Sequence, residues 1–332
     1  MDHVRWGMIG CGAVTQVKSA PGLYKSSRST LVAVTDRNLD AALSYAARHG
    51  VGRVHDSVGA LLADPGVDAV YVATPPVSHK ELALAVARAG KHVYVEKPMA
   101  LRRSECDEIV ATCAAHQVRL FVAFYRRGMP RFLQVLSWLE AGAIGEVRSV
   151  RVMQHQPPAP EELSRATLPW RLLPEVAGGG KFLDMGVHVL DILDLWLGPI
   201  AEVKGVAGNQ GGLYDVEDTV TAAWRHAGGV QGSGSWCYVC DTARDLTEIT
   251  GTRGRIELDF FADSPLKLIV GNEVTELAVP NPPHVQQPFI QSIVDELCGG
   301  PPCRGDIASA IRATAVADDV LRDYRVQRGW AP

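Results

Sequence analysis

The sequence predicts an α/β protein in which an amino-terminal, doubly wound parallel sheet precedes a carboxyl-terminal α+β domain built on a large open, mostly antiparallel sheet. Three observations carry that expectation. Over about the first 120 residues, β-branched apolar runs alternate with helical stretches of about ten to fifteen residues, the pattern of βαβ units. Two glycines, Gly10 and Gly12, follow the first apolar run at once. Beyond Tyr125 strand-like runs succeed one another with Gly- and Asp-rich turns and one long helix among them.

Taken in order, residues 4–9 form the first strand, followed by a helical stretch that Pro21-Gly22 ends. Leu31-Val32-Ala33-Val34-Thr35 is the second strand, and the alanine-rich segment 39–49 is helical by propensity. Strand 69–73, helix 78–89, strand 92–95, helix 103–116 and strand 119–124 complete the alternation. Pro130 then opens a helix to about Glu140, broken by Gly142 and Gly145. Strands follow at 146–155, 200–208, 216–225, 230–239, 245–250 and 254–260, with the long helix at 181–197 and late helices at 284–298 and 306–324. At 332 residues the chain exceeds one typical core. The expected limits are 1–124 for the doubly wound domain, 125–300 for the α+β domain, and 301–332 for a helix packing back on the first domain.

A net charge of −4 offers no basic footprint, so nucleic acid is excluded as a partner. No apolar run reaches the roughly 18 residues of a membrane span. Met1-Asp2-His3-Val4-Arg5 runs straight into a strand, which leaves no room for a signal peptide and implies a cytoplasmic location. Seven scattered cysteines suit a reducing compartment. The sole CxxC, Cys237 and Cys240, lies in a strand-like run and lacks the second pair a zinc site needs, so no metal is expected.

Gly10-x-Gly12 after a strand is half of a dinucleotide fingerprint: the first glycine makes the turn and the second lets the backbone approach a pyrophosphate. Thr15 stands at the third position, where Gly or Ala is usual. Asp36 ends the second strand at roughly the 20-residue distance of the carboxylate that accepts from ribose hydroxyls. That carboxylate favours NAD by repelling a 2′-phosphate, while Arg37 beside it leaves NADP open.

Glu96-Lys97-Pro98 closes the apolar run 92–95 and leaves a lysine at the carboxyl end of a strand, where open α/β sheets place their chemistry. Far downstream, behind Gly178-Gly179-Gly180, the residues Asp184, His188 and Asp191 are spaced i, i+4 and i+7 in an otherwise apolar helix, an ionisable stripe expected to line a cleft. For removal of hydride from an alcohol, His188 has the pKa range of a base, the Lys97 ammonium would stabilise the oxyanion, and Asp184 would orient substrate or imidazole. Tyr125 and Trp170 are platforms for a ring, with Arg126, Arg171 and His155 as donors to its hydroxyls or to a carboxylate. The irregular stretch 154–174 would rim the pocket.

The chain resembles the glucose-fructose oxidoreductase, inositol dehydrogenase and rhizopine-catabolism (Gfo/Idh/MocA) oxidoreductase family over essentially its whole length. The likeness rests on Gly7-Met8-Ile9-Gly10-Cys11-Gly12-Ala13, on Ala73-Thr74-Pro75-Pro76-x-x-His79, on Glu96-Lys97-Pro98, and on Gly178-Gly179-Gly180-x-x-x-Asp184-x-Gly186-x-His188 with Asp191. It implies a Rossmann domain and an open-faced sheet that forms a homodimer or homotetramer. By family role, Lys97, His188 and Asp184 would be catalytic, with Tyr125, Arg126, Arg171, Asp184 and His188 toward substrate. Gly10, Gly12, Ala13, Val14, Asp36, Arg37, Thr74, Pro75, His79, Glu96, Lys97 and Trp170 would lie along the cofactor. Tyr125 stands where many relatives have Asn, which alters a substrate-facing position.

The resemblance implies an NAD(P)-dependent dehydrogenase or reductase acting on a secondary alcohol or ketone of a sugar, cyclitol or related polyol. Two alternatives stay open at this point. Some relatives hydrolyse glycosides through transient oxidation by a tightly held NAD, without net cofactor turnover. A fungal galactose-regulon repressor shares the fold and binds dinucleotide as a sensor, although Lys97 and the Asp184-x3-His188 set weigh against that reading.

Overall fold

The computed structural model describes residues 1–330. Six short strands, β1 (Val4–Ile9), β2 (Ser29–Thr35), β3 (Arg53–Val54), β4 (Ala69–Val72), β5 (His92–Val95) and β6 (Leu120–Val122), form a wholly parallel sheet in the order β3-β2-β1-β4-β5-β6. All residues of β4, and all of β1 except Arg5, are buried. Continuous burial is what a parallel strand covered on both faces requires, and it explains why these runs read as unbroken apolar stretches. The strand order reverses at β1 and β4, so the crevice beyond their carboxyl ends is the expected ligand position.

The connecting helices are α1 (Ala13–Val17), α2 (Ala20–Lys25), α3 (Leu39–His49), α4 (Val58–Ala63), α5 (His79–Arg88) and α6 (Arg103–Ala115). Asn38 caps α3 by accepting from the Ala41 amide, and Gly50 ends it at a φ of +68°. The single helix expected to stop at Pro21-Gly22 is two helices, because proline is tolerated in a first turn and here starts α2. Neither β3 nor α4 was anticipated. A two-residue strand and a six-residue helix are too short to display a period.

The second part contains α7 (Pro130–Glu140), β7 (Val147–His155), α8 (Pro174–Ala177), α9 (Val187–Leu197) and seven further strands: β8 (Ile200–Gly208), β9 (Thr219–His226), β10 (Gln231–Cys237), β11 (Arg244–Gly251), β12 (Gly254–Leu258), β13 (Leu266–Val270) and β14 (Glu273–Leu277). Its eight-stranded sheet runs β14-β13-β12-β11-β7-β10-β9-β8, antiparallel throughout except for the β7–β10 pair. The β13–β14 hairpin escaped the sequence reading. The first four residues of β14 are exposed, so this edge strand carries no alternation of apolar and polar residues.

Two helices complete the chain, α10 (Gln287–Leu297) and α11 (Ile307–Gln327). The described residues divide into Met1–Met129 with Pro282–Ile311, and Pro130–Asn281 with the residues from Arg312 onward. This corrects the expected 125–300 and 301–332 boundaries: it is α10 that returns to the first unit, and most of α11 belongs to the second. Glycines explain the seating of both. A Cβ on Gly128 or Gly22 would meet the α10 backbone at Phe289 or Gln287 within 3.0 Å, and one on Gly205 of β8 would meet the Val320 carbonyl of α11 at 2.8 Å. Arg312 of α11 also forms a two-pronged pair with Asp194 of α9, at 2.8 and 2.9 Å.

Candidate active site

In the first unit, Gly10 adopts a φ of +99°, and a Cβ there would meet the Ala73 carbonyl at 2.8 Å. Only glycine allows β1 and the turn after β4 to approach so closely. Gly12 and Ala13 are exposed, Val14 is half-buried, and no heavy atom lies within 4 Å of where a Gly12 Cβ would stand. This bare backbone at the start of α1 is the surface a pyrophosphate needs, so the residues present fit a dinucleotide. Asp36 is held from both sides: its Oδ2 accepts from the Cys11 amide at 2.7 Å and its Oδ1 from the Asn38 amide at 2.9 Å. Arg37 is exposed. Thr15 is fully buried and donates its hydroxyl to the Gly12 carbonyl at 2.8 Å, so the departure from the usual glycine is absorbed within the turn.

Thr74 and Pro75 are half-buried at the carboxyl end of β4. His79 is fully buried, its Nδ1 2.8 Å from the Pro98 carbonyl and its Nε2 2.7 Å from the Thr74 carbonyl. Burial pushes its pKa below the ordinary imidazole value, and a neutral ring donates to one of these carbonyls at a time. Its ring nitrogens are thus occupied by the loops after β4 and β5, joining them to one another.

Lys97 is half-buried immediately after β5, and its peptide bond to Pro98 is cis. The Glu96 side chain faces the core: its Oε1 accepts from the Tyr71 hydroxyl at 2.5 Å and from the Gln286 amide at 2.7 Å. Gln286 in turn accepts from the Tyr94 hydroxyl at 2.6 Å, and the Tyr71 and Tyr94 rings stack at 4.7 Å. Burial and the Glu96 charge raise both phenol pKa values far above normal, which keeps both hydroxyls as donors. Tyr71, Tyr94 and Gln286 were missed by the sequence reading. The two tyrosines looked like apolar strand residues, and Gln286 lies 190 residues beyond Glu96. Tyr125 and Arg126 occupy a short 3₁₀ turn, Tyr125–Gly128, with the Arg126 guanidinium 5.5 Å from the Tyr125 ring centre. Arg126 itself is buried.

In the second unit, the helix expected at 181–197 is a π-helical turn, Phe182–Gly186, leading into α9. A Cβ on Gly186 would lie 2.6 Å from the Phe182 ring, so glycine is what lets that aromatic fold beneath the turn. The wider turn changes the phase between Asp184 and His188, and such turns recur at functional sites. The ionisable stripe does not line a cleft along its length. The Asp184 side chain is 29% exposed, whereas His188 is 5% and Asp191 1% exposed, so only the Asp184 end is open.

Arg171, on a 3₁₀ turn, places its Nε 3.3 Å from Asp184 Oδ2 and its guanidinium 5.0 Å from the Trp170 ring centre. Trp170, Arg171 and Asp184, three of the residues expected at the site, are thereby brought together. His155 instead contacts the Ser235 hydroxyl at 2.9 Å within the sheet. A buried ion pair, Lys181 Nζ to Glu162 Oε2 at 2.6 Å, ties the irregular stretch after β7 to the residue preceding the π turn. Among the described residues, no group of three or more His, Cys, Asp or Glu could hold a metal, and all seven cysteines are free.

A profile of the Gfo/Idh/MocA oxidoreductase family, NAD-binding Rossmann fold, matches residues 4–124, and that of the Gfo/Idh/MocA carboxyl-terminal domain matches residues 132–257. The chain is 36% identical over 295 residues to oxidoreductase P35 of Formosa agariphila, covering 88% of this chain and 90% of that one. It is 32% identical over 254 residues to the 1,5-anhydro-D-fructose reductase of Ensifer adhaerens, covering 76% and 74%. Among solved structures, KijD10, a 3-ketoreductase from Actinomadura kijaniata in complex with NADP and TDP-benzene, is similar with a TM-score of 0.83 at 25% identity, covering 96% of this chain and 97% of that one.

Proposed function

The chain belongs to the Gfo/Idh/MocA oxidoreductase family, and from that premise we propose that it is a dehydrogenase or reductase that interconverts a secondary alcohol and a ketone on a sugar, cyclitol or related polyol, with NAD preferred to NADP. The observation that carries this reading is Lys97, half-buried at the carboxyl end of β5 in an NAD-binding unit. A bound nicotinamide would supply the acceptor for the hydride leaving the alcohol carbon. The Lys97 ammonium stabilises the oxygen as its charge develops, and His188 takes the hydroxyl proton. Asp184, steered by Arg171, orients the substrate hydroxyls or the imidazole, with Trp170 stacked beside that arginine, and Tyr125 and Arg126 of the first unit are the further residues assigned to substrate. Gly10, Gly12, Ala13 and Val14 would carry the pyrophosphate, with Thr74 and Pro75 along the nicotinamide half. The preference for NAD rests on Asp36, whose fixed carboxylate repels a ribose 2′-phosphate.

Nicotinamide reduction by the purified protein, measured with NAD and with NADP across sugars, cyclitols and sugar acids, tests the reading. Turnover with any of them supports it and ranks the cofactors. Silence across the panel with dinucleotide retained by the protein would overturn it in favour of a glycoside hydrolase or a sensor. We also infer a cytoplasmic enzyme, in keeping with its free thiols. A homodimer or homotetramer through the eight-stranded sheet completes the proposal, and light scattering of a monomer would exclude it.

A further inference from the structure

A second carboxylate, outside the residues so far given a role, is built into the approach to Asp184. Glu217 lies just before β9, is 1% exposed, and its Oε1 accepts from the Gly180 amide at 2.8 Å. A Cβ on Gly180 would fall on the Glu217 carbonyl and stand 3.1 Å from Oε1; one on Gly179 would lie 2.6 Å from the Leu183 side chain. The glycine run therefore exists in part to admit this carboxylate. From the other side, Arg325 of α11 donates to the Gly178 carbonyl at 3.1 Å while paired with Asp318 at 2.8 Å. The turn 178–180 is thus held at both ends, and the π turn bearing Asp184 begins two residues later.

We propose that Glu217 is a positioning residue, which by accepting from the Gly180 amide fixes the backbone that presents Asp184 and His188. This rests on the dehydrogenase reading only for the chemistry those two residues perform. The groups facing Glu217 are the Gly180 amide, Arg325 and Tyr324 from α11, the adjacent Asp218, Tyr214 from the segment before β9, and Tyr238 after β10. Burial dominates among these influences and pushes the Glu217 carboxyl up to about 7. A proton gained or lost near neutrality changes the strength of the Gly180 hydrogen bond, because a carboxylate is the stronger acceptor.

The test compares wild type, Glu217→Gln and Glu217→Ala, labelled with methyl-13C methionine. Of six methionines, Met185 lies inside the π turn, where its sulfur is 3.4 Å from the Gln156 amide nitrogen, and its methyl resonance reports that turn without any substrate. The wild-type Met185 resonance should move with pH about a midpoint near 7, and Glu217→Gln should abolish that movement. Glu217→Ala should displace the resonance at every pH and lower kcat roughly ten- to hundredfold with NAD affinity intact, and Glu217→Gln, which keeps an acceptor, should recover most of the loss. A Met185 resonance identical in wild type and Glu217→Ala, or wild-type kcat in Glu217→Ala, would overturn the proposal. If Glu217→Ala fails to fold, the pH response of Glu217→Gln decides. If the wild type turns over nothing, the dehydrogenase reading fails by itself, and the methionine resonance still decides the positioning.

Discussion

Each unit buries a carboxylate beside the residues proposed for chemistry, and the two carboxylates are satisfied differently. Glu96, 8% exposed, receives a tyrosine hydroxyl and a glutamine amide, and each donor is itself held by stacked rings or by a second tyrosine. Glu217, 1% exposed, receives the Gly180 backbone amide and faces Arg325 at longer range. The comparison separates two ways of fixing a backbone next to a reactive group. Side-chain donors from distant segments lock the turn after β5. In the second unit the carboxylate holds a glycine turn through a main-chain amide, and burial leaves that carboxylate within reach of a proton at neutral pH.

The largest expected effect strikes the residue that the first arrangement presents. Lys97→Met should lower turnover on the order of 10²- to 10³-fold while NAD still binds, measured by steady-state kinetics and by fluorescence titration. Near-normal turnover would remove the lysine from the mechanism and leave the Glu96 network without a purpose at the site.

Next in size is the pH dependence of stability contributed by Glu217. Its folded-state pKa, about 7, lies above the ordinary 4.5, so the folded protein binds the proton more tightly than the unfolded chain does. The associated stability is fully present below about 4.5 and is lost as the pH rises through about 7, a span worth about 3 kcal/mol as an upper figure. Glu217→Gln should flatten this limb in denaturant melts collected from pH 5 to 8. An unchanged slope would show that the two carboxylates do not differ in the manner described.

Gln286→Leu should destabilise the first unit by about 2 kcal/mol, because it removes a donor from a buried carboxylate and an acceptor from the Tyr94 hydroxyl. A thermal melt checks this, and an unshifted midpoint would mean that stacking and packing alone secure the turn. Smallest, Asp36→Ser should shift the ratio of NADP to NAD affinities about tenfold toward NADP; an unchanged ratio would place recognition of the adenosine ribose elsewhere.

Much of this fold was legible in local pattern. The alternation of β1, β2, β4, β5 and β6 with their longer helices and the strands β7 to β12 stood out because buried parallel strands are unbroken apolar runs and half-buried antiparallel ones are punctuated by turns. What escaped was short or exposed: β3, α4 and the edge hairpin of β13 and β14. At the candidate site, Gly10, Asp36 and Lys97 are the residues that the sequence could nominate, because a turn, a carboxylate and a lysine at strand ends have meaning at fixed spacing. The pairing of Arg171 with Asp184 was not visible, since the two lie on separate segments and nothing in their spacing implies contact.

The amino-acid sequence by itself determined the two sheet types, the glycine turn for a dinucleotide and the identities of the polar residues in apolar surroundings, all properties of short windows of chain. Tertiary structure alone decided that α10 and not α11 returns to the first unit, that a π turn alters the phase between Asp184 and His188, and that Glu96 and Glu217 are held by Gln286 and Gly180. Burial and hydrogen-bond partnership arise between residues as far as 190 positions apart, and no local period encodes them.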